Sequence, residues 1–157
     1  NQTGNDNTSL IYQGDFTVDP VAGSERARAN VTQTGNSNES LVVQTVSNPN
    51  SFVDIVQRNG DRNVSDAFQS GRGGDIEVIQ QNGDDNYSFV DQTSQAGPGN
   101  ASIGAVSAKL TQNGDQNDSF ITQNADNATL TVTQTSTGPV FGAPRDDQPD
   151  YLGENAN

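Results

Sequence analysis

Cysteine, histidine, methionine and tryptophan are all absent from the 157 residues, and the absences close whole classes of chemistry. Without cysteine there are no disulfides and no thiolate metal sites, and the redox compartment leaves no mark on the sequence. Without histidine as well, Cys/His nucleophiles, Ser-His-Asp triads and the usual zinc sites are excluded by inventory. Basic residues are scarce: 7 Lys and Arg against 20 Asp and Glu give a net charge of -13. That balance argues against nucleic acid or an anionic membrane as partner, since both need a basic patch. Apolar residues are only 29% of the chain, and no run approaches the roughly 20 residues of a membrane span, so membrane insertion is not expected. Residue 1 is not Met, which reads as a processed chain whose signal segment has been removed; a shortened chain would read the same way. Composition alone lies close to that of chains that do not fold, and only a repeating pattern can offset so small an apolar share.

Such a pattern is present. Q-x-G-x-x-N occurs at Gln2/Gly4/Asn7, Gln33/Gly35/Asn38 and Gln112/Gly114/Asn117, with a form one residue longer at Gln57/Gly60/Asn63 and Gln80/Gly83/Asn86. After each Asn the chain alternates through Ser and an apolar residue to another Gln: Gln13, Gln44, Gln69, Gln92 and Gln123. The residues before Gln33, Gln57, Gln80, Gln112 and Gln134 alternate in the same phase. A period of two is a strand with one chosen face, so each unit reads as strand, Gly-containing turn, strand. All six prolines fall outside these strands, as they must where every backbone N–H joins a ladder.

The predicted architecture is all-β: a β-solenoid of stacked strand-turn-strand units in residues 1–134, amyloid-like in its cross-β spacing. Full rungs are expected at 27–44, 51–69, 74–92 and 106–123. A half rung at each end would hold only a second strand (7–13) or only a first strand (128–134). Loops 14–26 and 93–105 should project from one edge, and residues 135–157 read as an extended tail containing Pro139, Pro144 and Pro149.

The phrase S-x5-Q-x-G-x-x-N-x5-Q resembles the curlin repeat, and the resemblance covers roughly residues 1–134. It implies a β-solenoid that polymerises as bacterial functional amyloid. The leading Ser survives only as Ser51, with Ala27, Gly74, Val106 and Ala128 elsewhere. Two turns are a residue longer, and neither the long loops nor the tail belongs to the repeat.

Stacking puts each motif Gln above its equivalent, so that its amide donates one way and accepts from the other. The expected structural amides are Gln13, Gln33, Gln44, Gln57, Gln69, Gln80, Gln92, Gln112, Gln123 and Gln134, joined by Asn7, Asn38, Asn63, Asn86 and Asn117. Gly4, Gly35, Gly60, Gly83 and Gly114 fit turn positions that need a positive φ or a close backbone pass. The N-x-S pattern at the motif Asn residues follows from the same geometry, and glycosylation there would put bulk where the next rung must sit. Asp61, Asp84 and Asp115 would stack after the turn glycines. Such a row is a solvated acidic face or, as the alternative, a calcium site; no other metal and no cofactor is expected.

Interior strands carry outward charges, whereas Thr8 to Gln13 and Ala128 to Gln134 carry none. Soluble β proteins protect their edges, so uncharged terminal strands bearing Leu10, Ile11, Tyr12, Leu130 and Val132 point to self-association. A head-to-tail contact that does not close gives a filament. The expected function is therefore that of a non-enzymatic subunit of an extracellular, self-assembled fibre for biofilm matrix and surface adhesion, with secretion or nucleation partners. The alternative is a monomeric β-solenoid module for adhesion or calcium binding.

Overall fold

The computed structural model describes residues 1–13, 27–45, 51–70, 73–93, 106–124 and 128–136. Loop 14–26 lies outside the described residues. So do all but Thr93 of loop 93–105 and all but Thr135 and Ser136 of tail 135–157.

Alternation of inward apolar or amide residues with outward polar ones gives eleven strands among the described residues. They are β1 (Gln2–Thr3), β2 (Thr8–Gln13), β3 (Arg28–Thr34), β4 (Glu39–Thr45), β5 (Phe52–Arg58), β6 (Val64–Ser70), β7 (Gly74–Gln81), β8 (Tyr87–Thr93), β9 (Val106–Asn113), β10 (Asp118–Asn124) and β11 (Thr129–Thr135). Odd-numbered strands form one sheet in chain order, and even-numbered strands form the other. Every pairing is parallel. Each strand therefore lies beside its equivalent one repeat away, as in Gln57 on Gln80 and Ser65 on Ser88. The fold is a β-solenoid.

Register is fixed by what faces inward. A slip of one residue would turn Val53 and Ile55 to solvent and send Asp54 into the core. The core is a single column between the sheets. Val31, Val53, Ile55, Ile76, Val78, Ala108 and Leu110 come from one side, and Val42, Ala67, Val90 and Ile121 from the other. Outward residues pair along the axis, as with Lys109 Nζ donating to Glu77 Oε2 at 2.8 Å and Asn30 Nδ2 to Asp54 Oδ1 at 2.8 Å. The first is half-buried and the second exposed, and on the outer surface such contacts add little to stability.

Each turn has two left-handed residues: the second is always the one before the motif Asn (Asp6, Ser37, Arg62, Asp85 or Gln116, at φ of 54° to 58°), and turn length decides where the first falls. In the four-residue turns the first is the glycine itself, with φ of 113° at Gly4, 129° at Gly35 and 99° at Gly114. In the two longer turns it moves to the residue before the glycine, Asn59 or Asn82, each at φ 56°. Asn accepts that conformation more readily than most residues. Gly60 and Gly83 are then needed for space: a Cβ on Gly60 would run into the carbonyl of Gly83 on the next rung.

One expectation is corrected at the N-terminal end. That rung is not a lone second strand, because β1 already occupies the end of the first-strand position, with Gln2 opposite Gln33 and Thr3 opposite Thr34. Backbone bonds hold it there, Gln33 N–H donating to Asn1 O at 2.9 Å and Gly35 N–H to Thr3 O at 3.1 Å.

Candidate functional site

Two amide rows run the length of the body. In the first sheet, Nε2 of Gln2, Gln33, Gln57, Gln80 and Gln112 donates to Oε1 of the next glutamine, ending at Gln134, over 2.7 to 3.0 Å. In the second, Gln13, Gln44, Gln69 and Gln92 do the same, ending at Gln123, over 2.8 to 3.0 Å. Both rows point from the N-terminal to the C-terminal end. The second amide hydrogen of the first-sheet glutamines reaches across to the other sheet, as from Gln80 to Val64 O at 2.9 Å and from Gln112 to Tyr87 O at 2.8 Å. The rows therefore join rungs along the axis and also tie the two sheets together. Gln33, Gln57, Gln80 and Gln112 are fully buried, so these bonds satisfy groups with no access to water.

The motif asparagines act between rungs as well as locally. Oδ1 of Asn7, Asn38, Asn63 and Asn86 accepts the backbone N–H of the next asparagine at 3.0 to 3.1 Å, reaching Asn117 at the last step. Their Nδ2 groups donate to turn carbonyls, as from Asn86 to Gly83 at 3.2 Å and from Asn7 to Gly35 at 2.7 Å. Asn38, Asn63 and Asn86 are buried, which matches a structural role for the N-x-S pattern.

The acidic turn row has a bonding role that charge counting alone does not reveal. Oδ1 of Asp115 accepts the N–H of Asp84 at 2.8 Å, Oδ1 of Asp84 accepts that of Asp61 at 2.7 Å, and Oδ1 of Asp61 accepts that of Asn36 at 2.7 Å. Asn36 Oδ1 continues the series to Asn5 N–H at 3.1 Å. Arg62 adds neutralising charge beside the row, donating to both oxygens of Asp85 at 2.6 and 2.8 Å. That contact with Asp85 pushes the Arg62 pKa up. Among the described residues, no group of three or more acidic side chains is arranged to hold a metal ion.

At the ends of the stack the described strands have a partner on one side only. β2 closes one end of its sheet and β10 the other, while β11 closes the C-terminal end of the first sheet. Here side chains that a neighbouring rung covers elsewhere are open: Leu10 is 61% exposed, Ile11 42% and Tyr12 57%. On the opposite end Leu130 is exposed and Val132 half-buried. The two terminal strands expected from charge leave out β10, which forms half of the C-terminal end, with Phe120 72% exposed.

On the outer face of the second sheet, Leu10, Leu41, Asp66, Phe89 and Phe120 lie in one row. The Phe89 and Phe120 rings stack 4.4 Å apart, and Phe68 tilts against Phe89 at 5.4 Å. Asp66 sits between Leu41 and Phe89. Its burial there, helped by the nearby Glu39 carboxylate and opposed by a hydrogen bond from Tyr87, pushes its pKa up to about 6. The folded state thus holds the Asp66 proton more tightly than the unfolded chain, whose carboxyl titrates near 4. Asp66 therefore destabilises the fold above pH 6, and that penalty fades as pH falls through 6 and is gone below about 4. With much of the side chain in water the effect is on the order of 1 kcal/mol. Asp66→Asn should raise the urea midpoint at pH 7 and leave it nearly unchanged at pH 4. Equal shifts at both pH values would exclude a titrating Asp66 as the cause.

Residues 107–135 match the family model of the curlin associated repeat. The matched stretch takes in nearly all of β9 and the whole of β10 and β11, and the same strand and turn layout recurs in register through the other rungs. No curated protein and no solved structure shows a significant match to the chain.

Proposed function

We propose that this chain, which carries a curlin associated repeat, is a curli-type structural subunit that stacks copies of itself head to tail into an extracellular fibre. The observation that carries the reading is the shared direction of the two amide rows. At the C-terminal end both rows finish on donors, Gln134 and Gln123, and at the N-terminal end they begin on acceptors, Gln2 and Gln13. Only a head-to-tail contact continues both rows. Head-to-head or tail-to-tail contact would set acceptor against acceptor or donor against donor. A contact between two different surfaces does not close on itself, so growth continues to a filament. Biofilm matrix and surface adhesion are the roles such a fibre would serve, with partners for secretion or nucleation and with no catalysis by the subunit.

Removing residues 1–13 should abolish fibres in negative-stain micrographs while leaving a folded monomer, since β2 supplies one whole edge of the contact. Fibres of the complete chain should diffract with a meridional spacing of about 4.8 Å. Monodisperse particles from the complete chain would favour the monomeric adhesion module instead.

A further inference from the structure

Resting on that head-to-tail reading, the geometry points to residues 1–6 as a removable cap, displaced in the filament by the C-terminal strand of the neighbouring copy. Gln2-Thr3 and Gln134-Thr135 are the same dipeptide at the same place in the repeat: Gln2 pairs with Gln33, and Gln134 with Gln112. The next residues, Gly4 and Ser136, also correspond, each following its Gln by two. Ser136 caps the adjoining turn, its hydroxyl donating to Asp115 O at 2.7 Å. β1 thus occupies on β3 the slot that β11 of a second copy would fill if the two molecules shared one rung.

Sharing a rung is the arrangement that leaves no strand vacancy. If the N-terminal rung of one copy were simply laid on β11 of another, β10 and the incoming β2 would be two strand spacings apart, about 9.6 Å, with an empty layer between them. In a shared rung β2 lies directly on β10, with Ser9 beside Ser119, Ile11 beside Ile121 and Gln13 beside Gln123. β11 lies on β3, with Leu130 beside Ala29, Val132 beside Val31 and Gln134 beside Gln33. These registers follow from the pairings inside the chain. Gln134 then donates to Gln33 Oε1 in place of Gln2, and Gln123 to Gln13 Oε1, so both rows run on unbroken.

Exchange is favoured because the cap pairs with only two residues of β3, whereas β11 pairs with seven residues of β9 and would pair with the equivalent seven here. Asn1 to Asp6 are also exposed. Opening them uncovers little apolar surface, while the shared rung buries Leu130 and Val132 of β11 on β3 and Ile11 of β2 on β10. The cap covers the growth edge of a free molecule and makes its removal a step in assembly.

Two cysteine pairs test this in a chain that otherwise has none. Thr3→Cys with Thr34→Cys sits on facing residues of β1 and β3 and can lock the cap by a disulfide. Oxidised, it should fail to elongate fibres followed by thioflavin fluorescence, and reduction should restore growth. Thr34→Cys with Thr135→Cys, on opposite ends of one molecule, should form intermolecular disulfides in fibres and give a ladder on non-reducing gels. Deleting residues 1–6 should shorten the lag severalfold, whereas deleting 1–13 should stop growth. Wild-type growth of the oxidised lock, or fibres of the second variant without cross-links, would overturn the shared rung while leaving a head-to-tail fibre in place. Failure of the unmodified chain to form any fibre would remove both readings.

Discussion

Gln57→Glu should unfold the chain at pH 7, although it replaces one side chain by another of nearly the same shape. Gln57 is fully buried, and its Nε2 donates to Gln80 Oε1 at 2.8 Å, to Asn63 O at 2.9 Å and to Glu39 O at 3.0 Å. A carboxylate oxygen in that place would face three acceptors and offer no proton. Each buried acceptor left unpaired costs about 1 to 3 kcal/mol, and the unpaired charge adds more. The sum competes with the roughly 5 to 15 kcal/mol that holds an ordinary domain together. Gln57→Ala should lose the same bonds without the charge and so fall between the glutamate variant and wild type. Gln13→Ala, whose exposed amide makes one good bond, to Gln44 at 2.8 Å, should cost only about 1 kcal/mol. Urea unfolding followed by far-ultraviolet circular dichroism ranks the three. A folded Gln57→Glu with a midpoint near that of Gln13→Ala would show that the amide rows do not bear the stability assigned to them.

The same bonds explain which parts of the molecule are legible in its residues. Identical side chains at equivalent places in each repeat, such as Gln33, Gln57, Gln80 and Gln112, leave a strong trace, because a parallel in-register stack makes chemical identity and spatial adjacency the same thing. Period-two alternation then fixes the strands, and the strands fix the column of Val, Ile and Leu between them. Features without that identity are hidden. Asn5 and Asn36 belong to one row with Asp61, Asp84 and Asp115, but amide and carboxylate look unlike in sequence even though Asn36 and the three aspartates each use one Oδ1 in the same way, to accept the neighbouring N–H. Gly74 stands where the repeat has Ser51, and the reason is local crowding. A Cβ there would meet the amides of Gln92 and Gln69, and the Gly74 carbonyl itself accepts from Gln69 Nε2 at 2.6 Å. β1 is hidden because two residues carry no period. Its identity with Gln134-Thr135 gains meaning only when both ends are seen to occupy equivalent places on the stack.

Gly83→Ala should be strongly destabilising through crowding alone, and Gly73→Ala, which has a left-handed φ but open space, isolates the backbone cost. A Cβ on Gly83 would fall on the carbonyl group of Gly114 and crowd the Asp115 nitrogen, all of them backbone atoms of the next rung. No side chain can swing aside to make room, so the rungs must part locally. The bond from Asp84 N–H to Asp115 Oδ1, 2.8 Å long, lies directly beside the collision and would lengthen with it. Overpacking of this kind costs about 3 kcal/mol. Gly73 has the opposite profile: its φ of 64° is the left-handed one, yet a Cβ would meet nothing within 4 Å. Gly73→Ala should therefore lose only the backbone preference, about 1 kcal/mol. The difference between the two measures how rigidly the stack fixes rung spacing at its turn edge. Equal losses would mean that the rungs separate there at little cost, and a stack that opens so easily at its turns could not hold the close glycine packing on which the repeat's turn chemistry rests.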